Sequence, residues 1–335
     1  MSTSSESTAV AELYGALADE LGTVLIGNRA VVEGLTVALL TRGHVLLEGV
    51  PGVAKTTIAN AFARATGLEY HRIQMTPDVL PADITGTNIF RQQTGTFEVH
   101  RGPVFANVVV ADEVNRATPK TQSALLEAME ERTVTIEGET LHLPRPFLLV
   151  ATQNPVEMEG TFELPLAQRD RFQLRYDVGL PTHDEEFELL DRFDSDPGLG
   201  PETVRQVVTE REIEAARTAV TAVHVSDDVK EYVLALVAAT RTHPAVEHGA
   251  SPRASIAFLN AGKARAAIHG RDYVLPDDVR ALAVPILAHR LVLDADAVLG
   301  DVRHRDVVAD VLEAVTVPGE ADETGPLASR SGRAD

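Results

Sequence analysis

The segment Gly49-Val50-Pro51-Gly52-Val53-Ala54-Lys55-Thr56-Thr57 directly follows an apolar run that opens at Val45, and it leads into an amphipathic helical pattern near Thr56. Strand, glycine loop and helix in that order suit a polyphosphate. Backbone N–H groups turned inward, with a helix N-terminus behind them, offer fixed positive ends to an anion. Gly49 and Gly52 allow close backbone approach, Lys55 is placed to reach the β- and γ-phosphates, and the Thr56 hydroxyl is placed to ligate Mg²⁺. The run departs from the usual GxxxxGK[ST] pattern because Ala54 takes the place of the second glycine. A positive φ at that position would cost an alanine stability, whereas a helical φ would cost it nothing.

A second constellation lies downstream. Val108, Val109 and Val110 read as a buried strand ending in Ala111-Asp112-Glu113, which sets two acids at the carboxyl edge where open α/β sheets bind ligands. Asp112 would hold the metal through water, and Glu113 would polarise the water attacking the γ-phosphate. An acidic pair ending a strand is ordinarily a solvated turn; here it follows a matching phosphate loop. A third run, Phe147 to Ala151, ends in Thr152-Gln153-Asn154. Asn154 either hydrogen-bonds the attacking water or γ-phosphate, or simply forms the turn before Pro155. No NKxD guanine-reading motif is present, because Asn28-Arg29 and Asn115-Arg116 do not supply one, so ATP is the expected nucleotide.

The elements that carry these residues indicate an α/β fold. Helical spacing from Glu12 to Leu40, interrupted at Gly27 to Arg29, predicts two helices before the first strand. Short apolar runs then alternate with helical segments such as Thr57 to Ala65 and Thr118 to Arg132, the rhythm of a buried and mainly parallel sheet. Ile84 to His100, around Thr94-Gly95, and Thr133 to Leu143, around Glu137-Gly138, predict β-hairpin insertions. After Val178 and the Gly179-Leu180-Pro181 linker the strands stop, and helical periodicity runs on to Ala314. The expected organisation is an αβα nucleotide-binding domain over 1–180, an all-helical domain over 181–316 and a loose polar tail over 317–335.

Composition narrows the chemistry. The 335 residues are 44% hydrophobic and contain no cysteine, which removes disulfides, thiolate metal sites and cysteine nucleophiles. The formal charge of −20 argues against a surface built to neutralise nucleic-acid phosphates. Lysine is confined to Lys55, Lys120, Lys230 and Lys263 against 50 acids, a balance consistent with adaptation to concentrated salt. No apolar run is long enough for a membrane helix and the N-terminus lacks signal-peptide features, so no membrane insertion and a cytoplasmic location are expected. His243 and His248 read as surface residues, and His289 as a core or capping hydrogen-bonder.

Two long strings, VVVADEVNRATPKTQSALLEAMEERTVTI and ATQNPVEMEGTFELPLAQRDRF, resemble the MoxR family of AAA+ proteins. The resemblance extends from about Leu21 to Leu291 and includes the unusual GVPGVAKT loop and the stretch GASPRASIAFLNAGKARAAIHGRDYVLPDDV. It implies an αβα P-loop domain with a helical lid, assembled as a homo-oligomeric ring, a hexamer, with ATP held between neighbouring subunits. Asn154 matches the sensor-1 position. Arg253 matches the sensor-2 arginine, expected to contact the γ-phosphate of its own chain, and Arg171 is the candidate arginine finger acting in trans, with Arg169 as the competing assignment.

The resemblance further implies a chaperone-like ATPase that remodels, activates or matures a client protein, including by cofactor or metal insertion. It also implies a separate von Willebrand factor A domain partner, because that domain's DxSxS signature is absent here. Two other readings stand beside this one. A nucleic-acid motor predicts DNA-stimulated hydrolysis, and a nucleotide-gated scaffold predicts negligible hydrolysis.

Overall fold

The structure of the protein, a computed structural model, describes residues 3–93, 95–155 and 160–318. Two helices, α1 (Thr3–Gly22) and α2 (Arg29–Thr41), precede the first strand β1 (Val45–Glu48), which runs through the glycine loop into α3 (Lys55–Thr66). Next come β2 (Tyr70–Gln74) and the short helix α4 (Pro81–Thr85). A hairpin of β3 (Gly86–Arg91) and β4 (Thr96–Arg101) leads to β5 (Val108–Asp112) and α5 (Pro119–Glu131). A second hairpin, β6 (Thr133–Ile136) and β7 (Glu139–His142), leads to β8 (Leu148–Gln153), α6 (Leu166–Arg169) and β9 (Leu174–Asp177).

Five strands form one parallel sheet in the order β2-β5-β8-β1-β9. The three inner strands are those with continuous apolar runs, since each is covered on both faces and by a neighbour on both edges. The edge strands β2 and β9 carry Tyr70, His71, Arg72 and Gln74, and Arg175 and Asp177, respectively. Apolar-run reasoning passes over both of them, because half-exposed edges do not need continuous apolar sequence.

His44 shows how the sheet is tied to its surroundings. Its Nδ1 accepts the Leu149 N–H at 2.9 Å, which leaves Nε2–H to donate to the Met129 carbonyl at 3.2 Å. Complete burial pushes its pKa down to about 3, so the ring is neutral and binds β8 and the C-terminal end of α5 through both nitrogens.

The remaining helices are α7 (His183–Ser195), α8 (Glu210–Ala222), α9 (Asp227–Thr242), α10 (Pro252–Ile268), α11 (Pro276–Leu287), α12 (Ala295–Leu299) and α13 (His304–Ala314). This part is not wholly helical as expected, because Val246–His248 and Val292–Leu293 pair antiparallel. Three- and two-residue strands are too short to show an alternation in sequence. Both hairpins occur as expected; Thr94, assigned to the first turn, and residues 319–335 of the proposed tail lie outside the described residues. Apolar side chains of α1 and α2 pack with those of α8 and α10 in one continuous core that also reaches α3. The N-terminal helices therefore bridge the sheet region and the C-terminal helices. Among the described residues no helix is long and apolar enough to cross a membrane.

Candidate nucleotide site

The parallel register brings the three predicted motifs together. Residues Pro51 to Thr57 share a cavity of about 360 Å³ with Arg72, Asp112, Glu113, Gln153 and Asn154. An adjoining cavity of about 450 Å³ shares Gly52, Val53, Ala54 and Thr57 with it. Apolar groups from Val24, Leu25, Ile26, Leu180 and Phe193 line that second space. Asn28, Thr57 and Glu185 line it as well, so a charged compartment adjoins a mixed one with an apolar wall, which fits a ligand with an anionic end and a flat, partly polar end.

The two loop glycines act differently from one another. A Cβ on Gly49 would lie 2.2 Å from the Val178 carbonyl oxygen, so glycine is required there by the close passage of the chain leaving β9. Gly52 has φ +86 with open space around it, so its requirement is conformational. Gly49 and Val50 do not line the cavity; their carbonyls accept the Lys55 ammonium at 2.7 and 2.9 Å. Burial lowers the Lys55 pKa from its ordinary value, against the opposing pull of the Asp112 and Glu113 carboxylates.

Of the two conformations open to Ala54, the structure has the costly one, with φ 63 and ψ 17. An L-residue in the left-handed region pays roughly 1–2 kcal/mol, while glycine there pays only its larger unfolded-chain entropy. Ala54→Gly is therefore expected to stabilise the chain slightly, by about 0.5–1 kcal/mol in chemical denaturation. A destabilisation would show that the alanine methyl contributes packing that outweighs the backbone strain.

Asp112 lies at the centre of the polar compartment. Its Oδ2 accepts from Thr56 Oγ1 at 3.0 Å and from Arg72 Nε and Nη2 at 2.9 and 2.5 Å, and its Oδ1 accepts from Thr152 Oγ1 at 2.5 Å. Burial alone would raise the Asp112 pKa, but the hydrogen bonds from Thr152, Arg72 and Thr56 together hold it below the ordinary carboxylate range. The carboxylate is thus ionised next to a hydroxyl, a hard-oxygen donor pair suited to Mg²⁺, which takes few protein ligands and completes its shell with phosphate oxygens and water. No cluster of three or more His, Cys, Asp or Glu ligands occurs among the described residues, so the protein supplies no all-protein metal cage there.

Glu113 occupies the left-handed region at φ 57, with its backbone N–H donating to Thr152 Oγ1 at 2.9 Å. Its carboxylate accepts from Gln74 Nε2 at 2.9 Å and pairs with Arg116 Nη1 at 3.2 Å. Asn154 lines the same cavity, is 4% exposed, and its carbonyl accepts from Asn115 Nδ2 at 3.5 Å. Motif reading identifies neither Arg72 nor Gln74. Both stand on the edge strand β2, and only the pairing of Arg72 with Val110 and Gln74 with Asp112 in the sheet brings them to the acids.

The predicted arginines are elsewhere. Arg253 is not among the residues lining this cavity; its Nη2 donates to Glu130 Oε1 at 2.6 Å. Arg171 pairs with the other oxygen of Glu130 at 3.0 Å. Helix α10, which carries Arg253, is capped near Asp170 and close to the Arg171 segment, and the sequence does not reveal that placement. Arg169 is separate from this pair and lies within the electrostatic reach of Glu48 and Arg175.

Comparison with known proteins agrees with this architecture. Residues 44–174 match the ATPase family associated with various cellular activities (AAA), and residues 238–311 match the AAA lid domain. The chain is 43% identical to Chaperone MoxR1 of Mycobacterium tuberculosis over 308 residues, covering 89% of this chain and 81% of that protein. It belongs to the MoxR family of AAA+ ATPases. Protein MoxR of Methylorubrum extorquens is 33% identical, with 89% of this chain and 93% of that protein covered. A crystal structure of a Cytophaga hutchinsonii protein superposes with a TM-score of 0.86 at 39% identity, covering 93% of this chain and 97% of that one. The MoxR-family fold is thus a P-loop αβα domain with a helical lid, and the cavity lies at the carboxyl edge of its sheet.

Proposed function

We propose that the chain hydrolyses ATP and uses the cycle to remodel or mature client proteins. The observation that carries this reading is the convergence of Lys55, Thr56, Asp112, Glu113 and Asn154 on one cavity beside a second with an apolar wall. Backbone N–H groups of Gly52 to Thr57, with Lys55, would cradle the phosphates, and Thr56 and Asp112 would hold Mg²⁺. The metal, when bound, supplies charge neutralisation to the phosphate oxygens. Glu113 would accept hydrogen-bonding from the attacking water and Asn154 would orient it toward the γ-phosphate.

Arg171, outside its own chain's cavity and 31% exposed, would serve a neighbour's site in a homo-oligomeric ring, for which a hexamer is the proposed size. The β3–β4 hairpin adds support for a client role: Phe90 and Phe97 face each other across it with ring centroids 5.2 Å apart, 51% and 70% exposed. Such a pair offers an apolar grip to a segment of another protein. A separate von Willebrand factor A domain protein is proposed as partner and the cytoplasm as location, with the nucleotide domain over 1–180 and the lid over 181–316.

Steady-state phosphate release from Mg·ATP, measured with and without single-stranded and duplex DNA, tests the reading. Release that depends on Mg²⁺ and is indifferent to DNA is expected. Absence of release would favour the scaffold reading, and strong DNA stimulation the motor.

A further inference from the structure

Arg72 and Lys55 are the two cations among the residues that line the phosphate cavity, and they are held differently. Lys55 rests on backbone carbonyls, whereas Nε and Nη2 of Arg72 both donate to a single carboxylate oxygen, Asp112 Oδ2, at 2.9 and 2.5 Å. The same oxygen accepts from Thr56 Oγ1 at 3.0 Å, while Oδ1 is taken by the buried Thr152. Three donors saturate the lone pairs of Oδ2. Thr56 Oγ1 and Asp112 Oδ2 are also the atoms that would share a cation. Their 3.0 Å separation is close to the roughly 2.9 Å between adjacent oxygens around an octahedral ion with bonds of about 2.0–2.1 Å. A cation can join that pair only where the guanidinium gives up Oδ2.

Arg72 is placed for such an exchange. It stands on the edge strand β2 with its side chain 49% exposed, against 10% for Asp112, so it can leave the carboxylate without unpacking the core. Its Nη2 also donates to Gln74 Oε1 at 2.7 Å, which keeps the guanidinium beside the acids. An ion pair with one half-exposed partner is weak enough to yield to a competing ligand. A divalent cation by itself offers Arg72 no anion in exchange for Asp112. A cation carried by a polyphosphate brings several anionic oxygens into the cavity that Arg72 already lines, and a guanidinium fork pairs with those as readily as with a carboxylate.

We propose that Arg72 is a positioning residue that stands in for the divalent cation on Asp112 Oδ2, so that the site rejects free metal ions and accepts metal only together with a polyphosphate. The inference rests on the reading of Thr56 and Asp112 as the metal-holding pair. The coupling is reciprocal: the factor by which nucleotide improves cation affinity is the factor by which the cation improves nucleotide affinity.

The test uses the full chain and Mn²⁺, which takes the same oxygen ligands as Mg²⁺ and is counted by electron paramagnetic resonance. Without nucleotide, Arg72→Gln should bind Mn²⁺ at least about tenfold more tightly than the unmodified chain, because a positive charge has left the oxygen that the ion takes. Arg72→Met, which cannot hydrogen-bond Asp112 in place of the guanidinium, should show the same gain. Arg72→Lys, which keeps a cation there, should stay within about threefold of the unmodified chain. Loss of a merely structural arginine would not tighten metal binding. Calorimetry with the Mn²⁺ complex of β,γ-imido-ATP should show no gain in either uncharged variant, since the phosphates draw the guanidinium off Oδ2 in the unmodified chain as well. Unchanged or weaker Mn²⁺ binding by both uncharged variants would overturn the proposal. So would a full gain in Arg72→Lys, or an equal gain with and without the analogue.

Asp112→Asn separates that failure from failure of the underlying reading. It should bind the Mn²⁺ complex of the analogue at least about tenfold more weakly than the unmodified chain. If it does not, Asp112 holds no metal and the site reading itself falls. If it does while the uncharged Arg72 variants gain nothing, only the role of Arg72 falls.

Discussion

Glu113→Gln should lower the rate of phosphate release by about 10²–10⁴-fold while leaving Mg·ATP affinity within a few-fold of the unmodified chain. Glutamine preserves the size of the side chain and one oxygen acceptor, and the backbone N–H of residue 113 still donates to Thr152, so the left-handed turn after β5 should be retained. The variant removes the negative charge that draws a proton of the attacking water. Gln74 and Arg116 hold the Glu113 carboxylate by its Oε2, so the group is positioned by the protein itself and little of the effect should come from disorder. Single-turnover hydrolysis with nucleotide affinity measured in parallel checks the split. A variant that loses affinity and rate in equal measure would assign Glu113 to binding and not to the chemical step.

Lys55→Ala should weaken Mg·ATP binding by at least about a hundredfold, because a charge-assisted hydrogen bond to a phosphate is worth roughly 1.5–3 kcal/mol and Lys55 is placed to make more than one. The ammonium rests on the Gly49 and Val50 carbonyls, at the base of the loop that lines the cavity from Pro51 to Thr57. Burial already disfavours its charge, so its removal should not destabilise the free chain; the loss should appear in ligand affinity alone. Calorimetric titration with Mg·ATP, together with an unfolding curve in the absence of nucleotide, separates the two effects. Unimpaired binding by a folded variant would remove this loop from the phosphate site and sink the ATPase mechanism built on it.

Much of the site can be read in order along the chain because its parts are local. The loop from Gly49 to Thr57, the acids closing β5 and the asparagine after β8 each follow a short apolar strand, and a parallel sheet delivers the carboxyl ends of its inner strands to one edge. Sequence reasoning therefore places Lys55, Thr56, Asp112, Glu113 and Asn154 at one edge without knowing a single distance. The same logic fails at β2. Its residues are polar because it is an edge strand, and Arg72 and Gln74 acquire their contacts with the acids only by lying in register with β5.

From its sequence alone, then, this protein specifies the αβα class, the phosphate loop, the acid pair and the MoxR resemblance, since these depend on the covalent order of a few neighbouring residues. The tertiary structure decides the left-handed φ of Ala54, the demand on Gly49 from the Val178 carbonyl, and the meeting of Arg171 and Arg253 on Glu130. The last two are contacts with segments far away in the chain, whose cost or gain exists only once packing has brought them within a few ångströms, and the first is a backbone conformation that residue types alone leave open.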